Sequence, residues 1–102
     1  MLRTLFGLGP KVDVAQLLAQ GATVLDVRTK AEYAGGHVKG SVNIPLDQLQ
    51  AGMHKIRKDK PVITCCASGM RSTSAASLLR GHKFDAHNGG PWTKVQAALR
   101  TR

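Results

Sequence analysis

Between Val62 and Ser72 the chain passes from a β-branched run, Val62-Ile63-Thr64, through Cys65-Cys66 and the loop Ala67-Ser68-Gly69-Met70-Arg71, into a helix-compatible run. A strand that hands over to a helix through so short a loop is the mark of a parallel βα unit, because the helix then folds back along its strand. The same geometry gathers backbone N–H groups and the positive end of a helix around a cysteine sulfur. A thiol in such an anion cradle is favoured as thiolate. Two registers are open, since Cys66 to Arg71 spans six residues and Cys65 to Arg71 spans seven.

The rest of the chain repeats the alternation. Asp13 is placed to cap a helix over 14–20 that stops at Gly21, and the continuous run Thr23 to Val27 reads as a buried parallel strand. One or two helical turns are expected over 30–34, ended by Gly35-Gly36, then a short strand over 41–44 closed by Pro45. Asp47 is expected to cap a helix through Leu49 and Met53, and a strand over 62–64 follows Pro61. A helix over 72–80 presents Ala75, Ala76, Leu78 and Leu79 inward. The pattern closes with a small strand over 84–87, a turn over 88–91 and a helix over 92–99. These elements define an α/β domain, with loops at the carboxyl ends of the strands, where open parallel sheets bind ligands.

With 102 residues there is room for one core and one domain, expected over 10–102 behind an N-terminal extension of residues 1–9. The two cysteines are sequence neighbours, which excludes a disulfide framework of the small secreted kind and points to thiol chemistry in a reducing, cytoplasmic setting. No apolar run reaches membrane length, so no membrane association is expected. The formal charge of +9 favours encounters with anions. The fifteen Lys and Arg are scattered apart from Lys55, Arg57, Lys58 and Lys60, without an arginine tract or stacking aromatics, so a small anionic substrate is expected rather than nucleic acid.

Three separated motifs carry a family resemblance. Leu25-Asp26-Val27-Arg28, Glu32-Tyr33 and Gly36-His37-Val38-Lys39-Gly40-Ser41-Val42-Asn43-Ile44-Pro45 form the first, Cys66-Ala67-Ser68-Gly69-Met70-Arg71-Ser72 the second, and Gly89-Gly90 with Trp92 the third. In this order they resemble the single-domain rhodaneses, a sulfurtransferase family. The resemblance implies a three-layer α/β/α fold around a central, mainly parallel sheet. It also implies a double displacement in which Cys66 takes a sulfane sulfur from thiosulfate or a persulfide donor, a small anion or a protein, and passes it to cyanide or a thiol. The sulfur is held as a covalent persulfide, so no dissociable cofactor or metal is expected, and the domain is expected to act as a monomer.

Within that resemblance, Ala67, Ser68, Gly69, Met70 and Arg71 form the substrate cradle, with Asp26, Arg28 and Ser72 in support. Converging N–H groups stabilise a charged outer sulfur because they are already oriented. Arg71 is expected to supply charge or brace the loop, and Ser72 to cap the helix that follows. Asp26 and Arg28 are expected to order neighbouring loops, His37 to be a hydrogen-bonding loop residue and Trp92 to pack. Counting from Cys65 instead gives Cys, five residues, Arg, Ser, the pattern of cysteine phosphatases and some arsenate reductases. Gly69 takes its rhodanese position only from Cys66, and Thr64 stands where the phosphatase pattern has His. A non-turnover sulfur carrier or redox-sensing module is a further alternative. Arg71 is the one cation of the loop and Glu32 precedes Tyr33, so weak affinity for thiosulfate is expected.

Overall fold

The computed structural model describes residues 13–100, so the expected extension over 1–9 lies outside the described residues. Helix α1, Val14–Ala19, is started by Asp13, whose carboxylate accepts from the Gln16 N–H at 3.0 Å. Strand β1, Thr23–Asp26, follows, then α2, Lys30–Ala34, and the two-residue strand β2, Val42–Asn43. A 3-10 turn at Leu46–Gln48, helix α3 at Leu49–Gly52 and a second 3-10 turn at Met53–Lys55 lead to β3, Val62–Cys66. Helix α4, Met70–Gly81, strand β4, Ala86–Pro91, and helix α5, Trp92–Arg100, complete the chain.

The four strands form one sheet in the order β2-β1-β3-β4, with every neighbouring pair parallel. Each central strand is covered on both faces, which is why β1 and β3 read as near-continuous apolar runs. One face packs Leu25, Val27, Val62 and Cys66 against Ala75, Ala76 and Leu79 of α4 and against Leu49 and Ile56. The other packs Val24, Ile63 and Cys65 against Leu18 of α1 and Val95 of α5. The result is a three-layer α/β/α sandwich. Full burial of a side chain such as Leu79 contributes about 1.5–3 kcal/mol, so the two small layers hold the sheet from both sides. No helix among the described residues is long and apolar enough to cross a membrane.

Several boundaries differ from expectation. Strand β3 runs through both cysteines rather than ending at Thr64, because its register with β1 and β4 continues past that point. Helix α4 begins at Met70, two residues before the expected start, and Gly69 holds the N-cap position with φ of 104°. Ser72 is therefore in the first turn and is not the cap. Asp47 caps nothing: it sits in the 3-10 turn, and Gln48 precedes α3 without a side-chain cap bond.

The largest difference is at residues 84–91. The expected strand over 84–87 starts only at Ala86, and the expected turn over 88–91 is strand. Pairing with β3 outweighs the local turn preference of Asn88-Gly89-Gly90-Pro91. A bulge absorbs one residue, with Thr64 opposite Asn88 and Cys65 opposite Gly90. Gly89 is required by space: a Cβ there would lie 2.6 Å from Ile63 Cγ2 and 2.8 Å from Val95 Cγ2.

Candidate functional site

Successive residues of a strand face opposite sides of the sheet, and this separates the two cysteines. Cys65 packs on the α1–α5 side with Ile63 and Val95, fully buried. Burial, with the Asp26 carboxylate next in weight, pushes its thiol up to about 12. Cys66 packs on the α4 side, directly under the loop that leads into that helix.

The Cys66 sulfur accepts from the Gly69 N–H at 3.0 Å and the Ser72 N–H at 3.3 Å. Ser72 is the third residue of α4, so the sulfur receives the bond that a capping oxygen ordinarily receives at a helix start. Burial pushes the Cys66 thiol up, but the Ser72 hydroxyl and backbone, the Gly69 N–H and the nearby Ser68 N–H outweigh it and hold the thiol below its ordinary value. The left-handed Gly69 makes the turn possible without the steric cost a side chain would bring. The N–H groups of Ala67, Met70 and Arg71 make no hydrogen bond to the sulfur; those of Met70 and Arg71 belong to the first turn of α4, where backbone donors lack intrahelical acceptors.

Behind the sulfur lies a polar network that the sequence reading did not anticipate. The Cys66 thiol donates to Ser72 Oγ at 3.5 Å, and Ser72 Oγ donates to Asn88 Oδ1 at 2.7 Å. Gly90 N–H also donates to Asn88 Oδ1, while Asn88 Nδ2 donates to Thr73 Oγ1, which donates to Gly69 O at 2.7 Å. When Cys66 loses its proton, the Ser72 hydroxyl is placed to turn and donate to the thiolate. Asn88 was hidden because its sequence context reads as a turn, and only the strand pairing of β4 brings it under the loop.

The supporting residues divide into two groups. Asp26 and Arg28, both buried, form a paired unit in which Arg28 Nε reaches both Asp26 carboxylate oxygens at 3.0 Å and Nη2 reaches Oδ2 at 2.8 Å. Arg28 also donates to Gly36 O at 2.7 Å and lies over the Trp92 ring at 4.8 Å, tying β1 to the loop after α2 and to α5. Neither side chain bonds to Cys66. His37 stacks on Tyr33 with ring centroids 3.8 Å apart and shares a hydrogen bond with the Tyr33 carbonyl through Nδ1. Arg71, by contrast, turns sideways and donates to both carboxylate oxygens of Glu32, at 2.8 and 3.0 Å.

Glu32 is already committed to the capping box of α2, accepting from Thr29 N–H at 2.9 Å. Arg71 first, then Thr29, hold its carboxyl at about 2, well below the usual carboxylate range. Ala67, Ser68 and Met70 form the exposed rim of the loop, and Met70 is 79% exposed. Among the described residues no three His, Cys, Asp or Glu side chains converge to hold a metal ion.

Known proteins are similar to this chain in sequence and fold. A rhodanese-like domain family model matches residues 11–96. An uncharacterized Bacillus subtilis protein, YqhL, is 48% identical over 59 residues, which cover 58% of this chain but only 47% of that protein. Thiosulfate sulfurtransferase GlpE of Pseudomonas fluorescens is 33% identical over 75 residues, covering 74% of this chain and 69% of its own length. Among solved structures, a rhodanese-related protein from Thermoplasma volcanium superposes with a TM-score of 0.72 at 27% identity, covering 89% of this chain and 91% of that one. The chain thus spans about half of the Bacillus relative and nearly all of the Thermoplasma one. Because the family match spans residues 11–96, a range that takes in β1, the Cys66 loop and the β4 bulge, the chain belongs to the rhodanese-like domain family.

Proposed function

We propose that this domain is a sulfurtransferase that carries a sulfane sulfur as a persulfide on Cys66. The observation that carries the reading is the placement of the Cys66 sulfur, which accepts two backbone N–H groups at the start of α4 while Cys65 points into the opposite layer. An anion is stabilised there whether it is the resting thiolate or the outer sulfur of a persulfide, because the donors are fixed before the charge arrives. The relatives named as thiosulfate sulfurtransferases support the same chemistry.

In the first half-reaction the Cys66 thiolate attacks the outer sulfur of the donor. With thiosulfate, the new S–S bond forms as the donor's S–S bond breaks, and sulfite leaves with the electron pair. The remaining charge rests on the outer sulfur of the Cys66 persulfide. The free N–H groups of Met70 and Arg71, with those of Ala67 and Ser68, line the loop into which that sulfur extends. In the second half-reaction a thiophile such as cyanide takes the outer sulfur and returns Cys66 as thiolate, so covalent catalysis divides the transfer into two steps. Asp26 and Arg28 hold the strand ends that frame the loop, and Ser72 steadies the thiolate.

Incubating the reduced protein with thiosulfate or a low-molecular-weight persulfide, followed by peptide mapping, tests this directly. One sulfur added to the Cys66 peptide and removed by cyanide is expected. Absence of the label with every donor would overturn the reading, and turnover of a phosphate ester would then favour the Cys65 alternative.

A further inference from the structure

Arg71 is the loop's one cation, and its guanidinium is already paired with a carboxylate. Both terminal nitrogens are engaged by the two oxygens of Glu32, and the same carboxylate is fixed from behind by the Thr29 N–H and hydroxyl. A bidentate pair of this kind is geometrically specific and nearly cancels the two charges at a distance. Beside it opens a cleft of about 370 Å³ whose wall is shared by Arg71, Thr29 and Asp47 and whose apolar lining comes from Val27, Pro45 and Leu46. The charged side chains that line this cleft are Arg71, already paired with Glu32, and Asp47. That setting suits an organic group and opposes concentrated negative charge.

We propose that Glu32 is the donor-selecting residue of the site: by occupying Arg71 it lets the cradle take a hydropersulfide donor, neutral R–S–SH or its singly charged anion, in preference to the thiosulfate dianion. The inference rests on the sulfur-transfer reading above and assigns its donor class. The chemistry balances without an added oxidant or reductant. The Cys66 thiolate attacks the outer sulfur of R–S–SH, a Cys66 S–S bond forms and the donor's S–S bond breaks. The electron pair leaves on R–S⁻, and the proton of the new persulfide passes to that thiolate to give R–SH. The cleft provides space for R next to the loop, while Cys66 retains the sulfur.

Glu32→Gln tests the assignment, because the amide oxygen still accepts from Thr29 N–H but no longer neutralises Arg71. The readout is the ratio of kcat/KM for thiosulfate to kcat/KM for a small alkyl hydropersulfide, with cyanide as acceptor. A rise in that ratio of about tenfold, the scale of one unpaired charge acting on a dianion near a protein surface, is expected. The rise should be carried by a lower KM for thiosulfate and should vanish in the double variant Glu32→Gln with Arg71→Ala. A ratio within twofold of the parent, or a rise that persists without Arg71, overturns the proposal. If Glu32→Gln does not fold, Arg71→Ala, which leaves the Glu32 bond to Thr29 in place and its charge unpaired, is expected to lower the ratio, and a ratio unchanged or raised overturns the proposal. Failure of the parent protein to load Cys66 from either donor would instead overturn the sulfur-transfer reading, so the two failures are distinguishable.

Discussion

Ser72 is the residue on which the state of Cys66 turns, since it offers the sulfur both a backbone N–H at 3.3 Å and a hydroxyl at 3.5 Å. Ser72→Ala keeps the first and removes the second. Hydrogen bonds to a charged group are worth about 1.5–3 kcal/mol, so the thiolate is expected to lose about tenfold or more of its population near neutral pH. The rate of alkylation by iodoacetamide against pH reads this as a midpoint moved upward; an unchanged midpoint would mean that the backbone donors alone set the charge. The sign for stability follows from the lowered pKa. Cys66 contributes stability that is fully present above the unfolded thiol pKa and is lost as pH falls through the folded one. Cys65 gives the opposite expectation. Its thiol, buried and raised to about 12, should resist a thiol reagent at pH 8 in the native protein and react only after unfolding, and Cys65→Ala should leave sulfur loading on Cys66 in place. Counting reactive thiols before and after denaturation checks the first half, and peptide mapping the second.

The elements were legible to different degrees, and the differences have physical causes. Helix α1 and strand β1 follow from a capping aspartate and an apolar run, both local signals. Strand β4 does not, because Asn88-Gly89-Gly90-Pro91 carries turn residues, and what makes it a strand is non-local pairing with β3 across a bulge. Gly89 shows how strict that pairing is. A Cβ at this position meets Ile63 Cγ2 at 2.6 Å, Val95 Cγ2 at 2.8 Å and the Thr64 carbonyl oxygen at 3.0 Å, with no flexible chain end to move aside. Gly89→Ala is expected to destabilise the domain by about 1–3 kcal/mol through overpacking, and to weaken the Asn88 contact to Ser72 along with it. Denaturant unfolding measures the first effect. Gly69→Ala is different in kind, since its Cβ would have ordinary room but its φ of 104° would be strained, at about 1–3 kcal/mol. For this variant, a fall in Cys66 reactivity is expected even where the fold survives. The cradle's existence was readable from the order strand, cysteine, glycine, helix. The Arg71–Glu32 pair was not, because it joins residues 39 apart in sequence and no local pattern connects them.

At the scale of the whole molecule, the excess of fifteen cationic over six anionic side chains and the near-neutral site pull in different directions. The general charge raises the local concentration of any small anion, whereas the paired Arg71 adds little once the anion has arrived. Within the cluster over 55–60, Arg57 is paired with Asp59 at 2.6 Å and Lys58 lies over the Phe84 ring at 4.9 Å, contacts that hold these cations in place and leave the net excess unchanged. Attraction spread over a surface is long-ranged and is screened when the Debye length falls from about 30 Å at 0.01 M salt to about 10 Å at 0.1 M. Contacts in the cradle are short and buried, so they are screened far less. It follows that kcat/KM for thiosulfate should fall several-fold over that salt range while the rate of sulfur release from loaded Cys66 to a neutral thiol changes little. A donor whose carrier group is uncharged should show the shallower dependence of the two donors. Stopped-flow loading measured at a series of salt concentrations separates these cases. Equal salt slopes for the dianion and for the uncharged-carrier donor would show that encounter is not governed by the net charge, and the basic composition would then have to be explained by a partner surface instead.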